Sequence, residues 1–174
     1  MNGSVLRETQ IHRWRPPEQG FWKVNSDATT CLKVPSSGLG IIIRSADRSV
    51  CVAAAYNSKA TFLPIVAEAM TVRRGIFLAI ELGLVPFLIE SNCFQVVQMI
   101  RYGDSFNGDV GPIISNVVLS LKSLPRCSIG FVPRAGNAVA HSLAKLAISF
   151  NVDRCWLDSF PPYVERSVLL DAAF

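Results

Sequence analysis

The stretch Phe21-Trp22-Lys23-Val24-Asn25-Ser26-Asp27-Ala28 reads as a first β-strand. It follows Trp14-Arg15-Pro16-Pro17, where adjacent prolines stop regular structure. Asp27 is the informative residue, because aspartate is a poor strand former and strands keep one only for a reason. Two further strands follow closely. Gly38 to Arg44 carries the β-branched run Ile41-Ile42-Ile43, and the turn Ser45-Ala46-Asp47-Arg48 leads into Ser49 to Tyr56. Three consecutive strands with short links form an antiparallel meander.

The pattern then changes to helical. Pro64 suits a first helical turn, the stripe Ile65, Glu68, Val72, Gly75, Ala79, Leu82 recurs at spacings of three and four, and Gly83 is a stop. Val85 to Glu90 reads as a buried strand, Cys93 to Tyr102 and Val110 to Leu124 as helices, Arg126 to Pro133 as a last strand and Asn137 to Phe150 as a last helix. The order β-β-β-α-β-α-α-β-α predicts an α/β fold. Its five-stranded mixed sheet joins the three-stranded meander to two parallel strands that return through flanking helices. Residues 1–20 are predicted to form an N-terminal arm, 21–150 the domain and 151–174 a C-terminal tail, which either packs on the domain or hangs from it.

Composition agrees with one folded unit. The chain has 174 residues, 50% hydrophobic and 17% charged, which suits a full core and excludes a disordered polymer. A net charge of +4 permits a nucleic-acid partner without demanding one. Residues 1–20 are too charged for a secretion signal, and Glu81 and Pro86 interrupt the longest apolar region, so no membrane span is expected. Five scattered cysteines, none in a Cys-x-x-Cys pair, fit free thiols in a reducing, intracellular setting, nuclear or cytoplasmic.

Glu68 sits on the apolar stripe of its helix, whereas Arg73, Arg74 and Glu81 mark the wet face. A carboxylate turned toward a sheet needs a partner, a metal or an escape to solvent. Asn92 follows Ile89-Glu90-Ser91 at the carboxyl end of the buried strand, the end where α/β sheets usually bind ligands. Asp27, Glu68 and Asn92 therefore converge on one sheet edge. Other chemistries fit worse. Ser142 beside His141 is no triad, since helix neighbours point apart, and Gly38-Leu39-Gly40 lacks the rest of a dinucleotide fingerprint.

Taken together and in order, several motifs resemble the plant branch of the ribonuclease H type 1-like family, the retroelement-related reverse transcriptase-like domain. They are Trp14 with Pro16-Pro17 and Gly20, Lys23 to Ala28, Gly38 to Arg44, Ala67-Glu68-Ala69, Ile89-Glu90-Ser91-Asn92, Val132-Pro133-Arg134, Asn137 and Ala140-His141-Ser142-Leu143-Ala144. The resemblance implies a ribonuclease H-like fold and hydrolysis of the RNA strand of RNA–DNA hybrids. It also implies two divalent ions, Mg or Mn, held by four carboxylates. Asp27 and Glu68 match two of those positions; Asn92 and His141 occupy the other two as substitutions.

Two divalent ions about 4 Å apart repel by on the order of 15 kcal/mol at an effective dielectric near 20. Two carboxylates neutralise only half their charge, so one ion or none is expected here and hydrolysis is weakened or lost. Two replacements are open. Glu90 shares Asn92's strand face and offers a carboxylate from a shifted position, or else faces an ordinary backbone or solvent partner. His141, in a helix's first turn where the dipole disfavours protonation, offers a neutral imidazole to a metal or a proton, or else faces solvent.

Candidate cations for phosphates are Lys23, Lys33, Arg73, Arg74, Arg134 and Lys145. Asn25, Ala28, Thr29, Arg134 and Asn137 are the expected nucleic-acid contacts, with Ala28 standing where the family commonly has glycine. The expected partner is an RNA–DNA hybrid or double-stranded RNA. The alternatives are a non-catalytic binder of such duplexes and a protein-interaction module docking through the tail.

Overall fold

Strand β1, Trp22–Cys31, is the axis of the sheet. The computed structural model describes residues 13–103, 108–150 and 152–173; residues 1–12 of the expected arm, with His12, lie outside them. β1 pairs antiparallel with β2, Ser36–Arg44, which pairs antiparallel with β3, Val50–Ser58. On its other side β1 runs parallel to β4, Phe87–Ser91, which runs parallel to β5, Ser128–Phe131. The meander and the two parallel strands stand as expected.

The sheet has six strands rather than five, in the order β5-β4-β1-β2-β3-β6. The sixth, β6 at Arg154–Leu157, comes from the expected tail and pairs antiparallel with Val52–Ala55. Four residues bounded by a polar segment carry little strand signal, but the free edge of β3 is a ready template, and Trp156 packs into the cluster beneath. The tail then ends in helix α5, Glu165–Ala172.

Helix α1, Pro64–Glu81, covers one face of the sheet, followed by α2, Phe94–Tyr102, and α3, Val110–Ser123. Val24, Ile41, Ile43, Val72, Ile76, Phe87 and Ile89 are among the residues that form the core on this side. Along the predicted helical stripe, Val72, Gly75 and Ala79 are buried, while Leu82 caps the helix in the open. Helix α4, Ala138–Ser149, covers the opposite face, packing Val139, Ala140 and Leu143 on Ile42 and Ala53.

Two glycines set the height of α4. A Cβ on Gly40 would lie 2.1 Å from the Ala140 carbonyl oxygen and 2.4 Å from the Ala144 nitrogen. A Cβ on Gly38 would lie 2.0 Å from the Ala144 oxygen. Only hydrogen fits there, and the close approach brings His141, on the first turn of α4, down to β1.

A buried polar network ties Trp14 and Asp171 to the sheet. The Arg44 guanidinium is 1% exposed, donates to Asp171 of α5 at 2.7 Å and to Asn25 at 3.2 Å, and stacks 3.7 Å from the Trp14 ring. The Trp14 indole N–H donates to Asn25 at 2.9 Å. Burial lowers the Arg44 pKa and raises that of Asp171, and their mutual attraction opposes both shifts.

Candidate active site

Asp27 is 2% exposed and lies one register step beyond Ser26, the last residue of β1 paired with β4. Its odd parity on β1 turns it to the α4 face, opposite to Val24 in the α1-side core. There His141 Nδ1 donates to Asp27 Oδ2 at 2.6 Å, the Nδ1–H tautomer following from a carboxylate that only accepts. His141 therefore faces neither bulk solvent nor an empty site, but one of Asp27's own oxygens.

Glu68 approaches from α1. Burial, and next the negative charge and side chain of Asp27, push its carboxyl up to about 8, while the Ala28 backbone N–H and the Arg134 guanidinium pull the other way. Glu68 Oε2 is buried without a hydrogen-bond partner. Two carboxylates crowded together with an unmatched oxygen form a local demand for positive charge. One proton or one cation between Asp27 and Glu68 meets it.

Asn92 sits in the link between β4 and α2. Its side-chain oxygen accepts from Asn137 Nδ2 at 3.0 Å, and the same Asn137 nitrogen donates to the Ser26 carbonyl at 2.9 Å. The side-chain oxygen at this substituted position is thus already used inside the protein. The structure brings Asp27, Glu68 and His141 together, with Asn92 braced alongside. No group of three or more His, Cys, Asp or Glu side chains among the described residues is arranged to hold a metal ion. The residues present fit one ion between Asp27 and Glu68, and not the two-ion set that four carboxylates would hold.

Several expected contacts are placed elsewhere. Glu90 lies on β4, whereas Asn92 falls just beyond its end; one Glu90 oxygen is 2.8 Å from Lys23 Nζ and the other accepts from Asn25 at 3.0 Å. Both oxygens are spent, and Lys23 is buried with them rather than offered to phosphate. Asn25 is wholly buried and satisfied by Trp14, Arg44 and Glu90, so it braces the core instead of facing nucleic acid. Asn137 is 1% exposed and works as a brace between β1 and the Asn92 link. An amide on a short periodic strand looks the same in sequence whether it points to solvent or to a buried arginine.

Ala28 and Thr29 remain partly open beside Asp27, and Arg134, Lys33 and Lys145 are exposed. Arg74 lies over the Tyr56 ring at 4.5 Å and, with Arg73, Phe77 and Asp153, lines a cleft that includes none of the four site positions. Cys93 was not singled out in sequence. Burial first, and then the negative charges of Glu68 and Asp27, raise its thiol pKa. Among the described residues no helix is long and apolar enough to cross a membrane.

Comparison with solved structures places this geometry in a known fold. The ribonuclease H1 of the halophilic archaeon Halobacterium salinarum superposes with a TM-score of 0.68 at 18% identity, over 75% of this chain and 98% of that one. The N-terminal RNase H domain of a Mycobacterium tuberculosis protein, fused to maltose-binding protein, gives 0.63 at 22% identity over 74% and 93%. LC11-RNase H1, isolated from compost and solved in complex with an RNA/DNA hybrid, gives 0.65 at 16% identity over 74% and 96%. No curated protein matches the chain. The family model described as reverse transcriptase-like matches residues 25–147, from the base of the Asp27 strand through the helix that carries His141, and the chain belongs to that family.

Proposed function

We propose that this chain is a nucleic-acid domain that binds RNA–DNA hybrids and whose hydrolysis is weakened or lost. The observation that carries the reading is the Asp27–Glu68 pair, held at the sheet edge with His141 on one oxygen of Asp27 and Asn92 locked to Asn137. The fold and the carboxylate pair support nucleic-acid chemistry, and the two substitutions argue against full turnover. Residues 13–173 act as one folding unit in this reading, since Arg44 joins Trp14 to Asp171.

Asp27 and Glu68 would hold one divalent ion, Mg or Mn, which supplies charge neutralisation for an approaching phosphate. Asp27 positions His141, and Asn137 holds the Asn92 link against β1. Arg134 meets the backbone of the duplex, and Ala28 and Thr29 border its sugar edge. A second reading, a protein-interaction module, draws on the exposed Tyr163, Leu169 and Leu170 of the C-terminal segment.

The test compares hybrid cleavage and hybrid binding by the native chain and by the double variant Asn92→Asp, His141→Asp, each in Mg and in Mn. Cutting by the variant alone is the expected result. Equal cutting by both refutes the charge argument. No hybrid binding by either at low salt refutes the nucleic-acid reading and leaves the interaction module.

A further inference from the structure

We propose that Phe94 and Phe131 form a stacking subsite for an unpaired nucleobase beside the carboxylate pair; the proposal rests on the nucleic-acid reading above. Phe94 opens α2 two residues after Asn92. Phe131 ends β5 opposite Ser91, and the next residue, Val132, donates its N–H to the Ser91 carbonyl at 3.1 Å. Both rings therefore leave the sheet at the edge where Asp27 lies. Ser91 lies level with Ser26, the residue before Asp27, and the exposed Arg134 follows three residues beyond Phe131. The aromatic pair and the exposed arginine thus sit at the strand-end edge of the sheet that carries Asp27.

The rings meet edge to face, with centroids 5.6 Å apart and planes at 85°. Phe94 is 58% exposed and Phe131 44%, so neither side chain is sealed into the core. Two adjacent open rings forgo the burial that large apolar side chains normally gain. Among the described residues the other exposed aromatics, Tyr102 and Tyr163, belong to the far end of α2 and to the C-terminal segment. A perpendicular pair leaves no parallel slot, so one ring carries a base on its open face and the other buttresses it. Inside a duplex both faces of each base are already stacked. The subsite therefore takes a base at a strand end or in a single-stranded extension, independently of its sequence.

The experiment measures equilibrium binding by fluorescence anisotropy, at low salt with magnesium, for a blunt RNA–DNA hybrid and for hybrids extended by a short single strand at each end in turn. The native chain is expected to bind at least one extended hybrid roughly 5-fold or more tightly than the blunt one. Phe94→Ala and Phe131→Ala lose that preference and keep blunt binding, and Phe131→Tyr restores it. Phe131→Leu, which keeps the bulk and lacks the π-face, separates stacking from folding and loses the preference too. Absence of any preference in the native chain, or its survival in Phe131→Leu, overturns the subsite while the nucleic-acid reading stands. Failure of the native chain to bind any hybrid overturns both.

Discussion

Glu68→Gln removes a charge that the fold is poorly built to hold, and its effect on stability follows from linkage. The Glu68 carboxyl is raised from 4.5 to about 8 in the folded protein, by burial first and Asp27 second. Between those values the folded chain keeps a proton that the unfolded chain has released. The Glu68 contribution to stability is therefore fully present below pH 4.5 and falls as pH rises toward 8, by about 1.4 kcal/mol per unit. The ceiling over that interval is near ~5 kcal/mol. The side chain keeps some access to water, so a loss of about 2–4 kcal/mol is expected, equivalent to roughly 5–15 °C in Tm for a chain of this length. Glutamine keeps the shape and has no proton to lose.

The assay is urea unfolding of the native chain and Glu68→Gln at pH 5 and pH 8.5 in EDTA, repeated with magnesium or manganese. Groups common to both proteins cancel in the difference, which reports the Asp27–Glu68 pair. The native chain should lose at least about 2 kcal/mol more than the variant as pH rises. A divalent ion should return most of that loss to the native chain and little to the variant. Parallel pH profiles for the two proteins refute the crowded-carboxylate reasoning.

Three further outcomes are expected. Gly40→Ala drives a methyl group into the α4 backbone and should cost about 3 kcal/mol or more by displacing the helix that holds His141, read as a fall in Tm. Asp171→Ala leaves the buried Arg44 guanidinium without its carboxylate and should cost about 3–5 kcal/mol in urea unfolding, with α5 losing protection in hydrogen exchange. Arg134→Ala should weaken hybrid binding and lower the salt slope by about 1, whatever the sequence of the hybrid; an unchanged slope removes Arg134 from the interface.

The meander was legible because three strand-like segments, one of them the β-branched run Ile41-Ile42-Ile43, follow one another through short links, and α1 because Val72, Gly75 and Ala79 keep a helical period. Asp27 and Glu68 stood out since each breaks the pattern of its own element, and a broken local pattern needs no partner to be noticed. Asn92 was legible as a site position from its place at the end of the buried strand, but its being a substitution, like that of His141, was legible only as a departure from a family pattern. Asn25 was expected to contact nucleic acid and Glu90 to offer a carboxylate, but the strand face beside Asp27 also carries the Arg44 network, one strand repeat away, and both are spent there. Periodicity cannot divide them. β6 escaped because four residues of an edge strand draw their order from the neighbour they pair with.

The sequence by itself determined the order of elements, the family pattern and the charge deficit at the site, because these depend on local periodicity and on counting side chains. The tertiary structure decided how the remaining polar groups are spent. Asp27 receives His141 because Gly38 and Gly40 let α4 descend. Glu90 is lost to Lys23 and Asn25, and Trp14 and Asp171, 157 positions apart, meet on one buried arginine. A polar side chain's role is set by which partner comes within hydrogen-bond reach, and that is a property of packing across distant segments, not of the segment that carries it.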